Sequence, residues 1–140
     1  VKAPKVYIRD SGILHHLAGI NDMDQLMGHP ILGASWEGYV IEQISQVISS
    51  GIDLFFYRTH EGTECDLVLT YGGKPLACIE IKYTSSPRVS KGFRIAIEDM
   101  NSKHNFIITP ASSDYLADKD IRVCNLIDFL TKYLTVIDSL

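Results

Sequence analysis

The sequence predicts an α/β domain: a mixed central sheet, an antiparallel meander plus a parallel strand, with helices on both sides. Three observations carry this. Residues 63–84, TECDLVLTYGGKPLACIEIKYT, alternate with period two on either side of a glycine pair, the mark of a hairpin. Residues 34–50 carry Trp36, Val40, Ile41, Ile44, Val47 and Ile48 in one helical stripe that stops at Gly51. A second helical stretch, 90–102, separates the hairpin from the apolar strand NFIIT at 105–109. A strand entered through a helix joins its sheet in parallel.

The elements follow in order. Residues 1–9 are extended, with Val6 and Ile8 alternating against Lys5, Tyr7 and Arg9. Asp10 or Ser11 caps a short helix holding Ile13, Leu14 and Leu17, and Gly19 ends it. His15 and His16 have no Cys or His at ligand spacing and read as surface or partly buried histidines. Residues 21–30 make a connection with a helical turn at 23–27. Residues 1–30 read as a lead-in, and 31–140 as the domain.

The helix over 34–50 lacks a capping box, because Gly38 stands where Ser35 would need Glu or Gln. Glu37 falls near the middle of its apolar stripe, and Glu42 lies off the stripe, facing water. A core-facing carboxylate is costly unless it is paired, hydrogen-bonded or metal-bound; in the first turn it also favours the helix dipole. The aromatic run LFFYRT at 54–59 is the first strand, and residues 60–62 turn the chain into the hairpin.

In the hairpin, Cys65, Leu67, Leu69 and Tyr71 face the same core as Ala77, Ile79, Ile81 and Tyr83. A three-residue loop, Gly72-Gly73-Lys74, sets Asp66 opposite Glu80 and Glu64 opposite Lys82. Two acids then lie side by side with a lysine next to them. Like charges opposed on a sheet call for neutralisation, and a divalent cation supplies it. A solvated Glu–Lys cross-strand pair is the plainer reading of the same spacing. Further on, residues 111–119 read as a polar loop, 121–124 as a short strand, and 126–134 as a helix with Leu126, Ile127, Leu130 and Leu134 on one face.

The chain has 140 residues, 46% of them apolar and 21% charged, enough for one ordinary core. No apolar run approaches the roughly 20 residues of a membrane span, and no export signal is visible in these 140 residues. Cys65, Cys78 and Cys124 are an odd set without C-x-x-C spacing, which fits buried thiols in a reducing, cytoplasmic setting. A net charge of −4 argues against a surface wholly built for nucleic acid. From 82 to 103, however, Lys82, Arg88, Lys91, Arg94 and Lys103 outnumber Glu98 and Asp99, a local basic patch suited to a phosphate backbone or a solvated helix face.

The ordered set of Glu37 on the first helix, Asp66 on the second strand and Glu80-Ile81-Lys82 on the third resembles the core of the PD-(D/E)XK nuclease superfamily, whose common fold is a restriction-endonuclease-like α-β-β-β-α-β. Cys65 stands where that pattern often has proline. A wider resemblance spans nearly the whole chain: KVYIRDSGILHHLAG, GASWEGYVIEQI, FYRTHEGTECDLVL and IEIKYT are similar to DUF4143, a domain attached to AAA-type ATPases. It implies an upstream ATPase region, since this chain has no G-x-x-x-x-G-K-[ST] loop and opens on Val1.

The nuclease resemblance implies catalysis by Glu37, Asp66, Glu80 and Lys82 on DNA. Asp66, Glu80 and the Ile81 carbonyl would hold Mg²⁺ or Mn²⁺, and Glu37 would bind a second ion or order a water. Lys82 would steer or deprotonate the attacking water, or offset charge on the phosphoryl oxygens. Glu64 would be an outer acid or extra ligand. Tyr83, Thr84 and Arg88 would touch backbone phosphates, and Arg58 a phosphate or carboxylate. The same fold also serves as a catalytically weak binding module that regulates its ATPase.

Overall fold

The structure, a computed structural model, describes residues 5–139. Residues 1–4, part of the expected extended lead-in, lie outside the described residues. Residues 5–8 carry no regular structure and lead to α1 (Ser11–Leu17), where Asp10 accepts from the Ile13 amide at 3.0 Å. Gly19 ends α1 at φ +72°. α2 (Met23–Met27) follows, then α3 (Leu32–Val47).

A six-stranded sheet forms the centre: β1 (Ile52–Arg58), β2 (Glu64–Tyr71), β3 (Lys74–Ile81), β4 (His104–Thr109), β5 (Tyr115–Asp118) and β6 (Ile121–Asn125). Its order is β1-β2-β3-β4-β6-β5. The first three strands form the predicted antiparallel meander, and β4 joins β3 in parallel after α4 (Lys91–Met100). β6 adds in parallel to β4, and β5 pairs with β6 antiparallel at the edge. α5 (Leu126–Asp128), a π-helical turn at Phe129–Tyr133 and α6 (Leu134–Asp138) run on without a break.

Apolar residues cover both faces. On one, Val40 and Ile44 of α3 and Phe129, Leu134 and Ile137 of the last helical stretch pack on Leu67, Leu69, Ala77, Ile79 and Ile108. On the other, Phe93, Ala96 and Ile97 of α4 pack on Val68, Cys78, Ile107 and Val123. The expected α/β class with helices on both sides is what forms. All three cysteines are free and buried.

Several expectations need correction. The glycine loop has two residues, not three: Tyr71 pairs with Lys74 across Gly72 and Gly73, both at positive φ (54° and 77°). A bulge between Leu69 and Thr70 then restores the expected parity, so that Leu69 meets Ala77 and Leu67 meets Ile79. Residues 111–119 are not all loop, because Tyr115–Asp118 zips onto β6. α3 runs over 32–47, and Ile48 is already extended at ψ 143°. Val47 therefore leaves the apolar stripe and is 56% exposed. The face opposite the odd positions is covered as well: Val68, Thr70 and Cys78 are buried.

Candidate functional site

The site forms at the fork where β2 and β3 part beyond the Leu67–Ile79 pair. Two features of the sequence open it. A bulge against β1 takes the register from Phe55–Val68 to Tyr57–Cys65, one extra residue on β2. Cys65 accordingly joins Val68 and Cys78 in the cluster under α4, and the alternation slips by one. Glu64 and Asp66 are turned toward α3. The second feature is that the Asp66 carboxylate replaces a ladder carbonyl, its Oδ2 accepting the Ile81 amide at 2.8 Å. On the far side of β3 the Lys82 amide continues the parallel ladder to the Ile108 carbonyl at 3.0 Å.

Three acids meet on one ammonium. Lys5 Nζ lies 2.8 Å from Glu64 Oε1, 3.0 Å from Glu37 Oε1 and 3.3 Å from Asp66 Oδ1. The Tyr7 hydroxyl donates to the same Glu37 oxygen. One turn along α3, Arg9 binds Glu42, which also accepts from Gln46. Glu42 thus sits at the surface under a guanidinium rather than free in water. The three odd residues of the extended piece, Lys5, Tyr7 and Arg9, clamp it to α3.

Glu80 lies across the fork, on the α4 side. Its Oε1 accepts from the Ser90 hydroxyl at 3.2 Å and sits 3.3 Å from Lys82 Nζ. Ser90 Oγ also accepts the Phe93 amide at 3.0 Å, so one hydroxyl caps α4 and holds the acid. Glu80 Oε2 is buried with no hydrogen-bond partner. A buried carboxylate oxygen without a partner costs free energy in the range of about 1–3 kcal/mol or more.

Proton affinities follow this geometry. Burial raises the Asp66 carboxyl above its ordinary range; the Ile81 amide opposes this and the Glu37 charge adds to it. Burial also raises the Glu80 carboxyl, against the pull of Lys82, with Asp66 contributing in the same direction as burial. The hydrogen bond from Lys5 holds the Glu64 carboxyl down. Burial alone would lower the Lys5 ammonium, but Glu64 and Glu37 outweigh it and raise it. The Tyr7 hydroxyl is raised, by burial first and by Glu37 second.

The remaining expected residues are spread around this fork. Glu64 does not pair with Lys82; it stands opposite Arg58 on β1, whose Nε is 3.9 Å from its second oxygen. Lys82 Nζ donates to the Arg88 carbonyl at 2.7 Å, and the Arg88 side chain is exposed. Thr84 Oγ1 accepts the Ser86 amide at 3.2 Å. The Tyr83 hydroxyl meets Met27 Sδ at 3.0 Å, away from the acids. Of the basic patch, Arg94 is committed to Asp118.

Lys5, Tyr7 and Ser90 were not among the expected site residues. The signal for the first two was the alternation of Lys5, Tyr7 and Arg9 on one side of an extended piece, though nothing local says which helix they meet.

Among the described residues no three His, Cys, Asp or Glu side chains are grouped so as to hold a metal ion. The Lys5 ammonium lies inside three carboxylates, whose oxygens are of the hard donor type that magnesium and manganese prefer. Glu80, with its unpartnered oxygen, stands on the other side of the fork with Ser90 and Lys82.

Among known proteins, an uncharacterized protein of Mycobacterium bovis and an uncharacterized protein of Mycobacterium tuberculosis are each 39% identical over 123 residues, 87% of this chain and 27% of theirs. The chain thus spans about a quarter of the length of the curated relatives it matches. No solved structure matches it. No helix is long and apolar enough to cross a membrane among the described residues. The family described as "Domain of unknown function (DUF4143)" matches residues 32–129, which hold all four proposed catalytic side chains, and the chain belongs to that family.

Proposed function

We propose that this chain is a divalent-metal-dependent phosphodiester hydrolase acting on DNA, carried by a longer protein with an AAA-type ATPase region. The observation that supports it most is the meeting of Glu37 and Asp66, 29 residues apart, on one cation. Two acids brought together from a helix and a strand raise each other's cost, and function is the usual reason such a cost persists.

Glu37, Asp66, Glu80 and the Ile81 carbonyl would hold Mg²⁺ or Mn²⁺, with Glu64 as a further oxygen donor. The ion would supply Lewis acidity at the phosphoryl oxygens and a water of lowered pKa. The chain's own groups do the rest. Lys82 sits 3.3 Å from Glu80, where its charge offsets the anionic phosphoryl group. Ser90 fixes the rotamer of Glu80 from the cap of α4. Asp66, anchored on the Ile81 amide, is held rigidly at the fork. Exposed Arg88, with Lys91 on α4, guides the backbone of the substrate.

A second reading has its own observation. Lys5 satisfies three carboxylates at once, which is what a catalytically silent binding or regulatory module would do with acids it no longer uses. Plasmid cleavage in Mg²⁺ or Mn²⁺ separates the two. The hydrolase reading expects nicking by the parent and none by Glu80→Ala; equal background from both proteins supports the silent module.

A further inference from the structure

The acids do not use the aromatic side chains that flank them. Trp36 precedes Glu37 on α3, and Tyr83 follows Lys82 after β3. These two and Tyr39 form one cluster. Trp36 stacks on Tyr39 with centroids 5.9 Å apart and planes at 28°, and meets Tyr83 edge-on at 6.1 Å and 80°. Two adjoining cavities, of about 300 and about 500 Å³, share Trp36, Tyr39 and Pro110 as walls.

Their place in the fold is where an α/β sheet offers a crevice. β3, β4 and β6 are mutually parallel and end at Ile81, Thr109 and Asn125. Pro110, Ser112 and Asn125 bound the groove just beyond those carboxyl ends. Ligands of open α/β sheets bind outside the carboxyl ends of the strands.

Polar atoms in the walls lack partners. Trp36 Nε1, which can only donate, is buried with no acceptor. Ser112 is 9% exposed, and its buried Oγ has no hydrogen-bond partner. Each such group costs free energy when left alone. Asp128 is the charged residue on this wall, and it is taken by Asn125 and Lys132. His15, on the wall of the smaller cavity, is engaged by the Ser35 hydroxyl, and no Lys or Arg lines either cavity among the described residues, so flat apolar faces, an indole donor and a hydroxyl suit a neutral planar ring with polar edges. They do not suit a phosphate.

We propose that this groove binds an unpaired nucleobase, so that the nucleic acid engaged at the acid fork is single-stranded or carries a single-stranded flap. This rests on the hydrolase reading for what happens at the fork, and on the groove for which substrate arrives there. Bases within a duplex hide their faces in the stack, whereas an unpaired base stacks on aromatic side chains at roughly 1–3 kcal/mol each. Trp36 and Tyr83 of the groove are each one residue from Glu37 and Lys82 along the chain, and the proposal seats the base in the groove with its backbone running toward the acids.

Trp36 is the only tryptophan of the chain, so its fluorescence reads the groove alone. The test titrates oligodeoxythymidylate of about 12 nucleotides against a blunt duplex of the same length, with EDTA present so that binding is read without cleavage. The expected result is saturable quenching by the single strand at a concentration at least about tenfold below that for the duplex. Tyr39→Ala and Tyr83→Ala each weaken the single strand by about fivefold or more. Tyr39 and Tyr83 are 41% and 38% exposed, so these truncations leave the core intact, which an unchanged melting temperature verifies.

Equal affinity for both forms overturns the proposal. So does full affinity in the Tyr39→Ala, Tyr83→Ala double variant, or tighter quenching by a proline-rich peptide. Single-strand preference without metal-dependent cleavage sinks the hydrolase reading and leaves the groove standing. Cleavage of duplex without that preference sinks the groove alone.

Discussion

Two charged clusters in this molecule have opposite balances. At the edge of the sheet, Asp114 is one acid served by three donors: Arg122, the Tyr133 hydroxyl and, at 3.9 Å, Lys132. The bond from Tyr133 first, and those from Arg122, hold its carboxyl below the ordinary range. At the fork, Glu37, Glu64 and Asp66 share a single ammonium, and Glu80 keeps a buried oxygen with no partner. There Asp66 and Glu80 are pushed up. The edge cluster lowers the free energy of the fold. At the fork, burial works against the charged forms of Asp66 and Glu80 while Lys5 favours that of Glu64, and the two helices and the sheet hold the acids together.

The largest break in this contrast is Lys5→Ala. It leaves three acids facing one another without their cation, and loss of one partner of a partly buried cluster costs about 2–3 kcal/mol. Urea unfolding in EDTA should show that loss, and millimolar Mg²⁺ or Mn²⁺ should recover most of it. A variant as stable as the parent would mean that the ammonium contributes nothing to the balance of the fork.

The pH dependence should split by cluster. Asp114 has a folded pKa below its unfolded one, so its contribution is present above the ordinary carboxylate range and fades as pH falls through the depressed value. Glu80 has a raised folded pKa, so the fold loses stability as pH rises from the ordinary carboxylate range through the raised value. Glu80→Gln should therefore raise the melting temperature at neutral pH and flatten that decline. Asp114→Asn should lower stability by about 1 kcal/mol and flatten the loss at acid pH. Melting curves across pH, with both variants moving the same way, would erase the distinction. The smallest effect is expected from Arg9→Ala: its pair with Glu42 lies at the surface, and the melting temperature should stay within error of the parent.

The fold was legible because its signals are local. The stripe of Val40, Ile41 and Ile44 and the Gly72-Gly73 turn each act within a few residues. β5 was hidden because Tyr115 and Leu116 are exposed at a sheet edge, where neither burial nor alternation marks a strand. The site was half legible. Glu37 in an apolar stripe and the acids of β2 and β3 announce themselves by type and spacing. The bulge that turns Asp66 toward α3 depends on pairing with β1, and Lys5 reaches the acids over 32 and 61 residues. Contacts of that range leave no local pattern.

The central claim is that the fork is a cation site in which Lys5 and a divalent ion compete. Mn²⁺ titration followed by electron paramagnetic resonance tests it most directly, with parent, Lys5→Ala and a Glu37→Gln, Asp66→Asn double variant side by side. The account predicts one bound ion in the parent, at least about tenfold tighter binding in Lys5→Ala, and none in the double variant. Equal manganese binding by all three proteins, or none by Lys5→Ala, would contradict it.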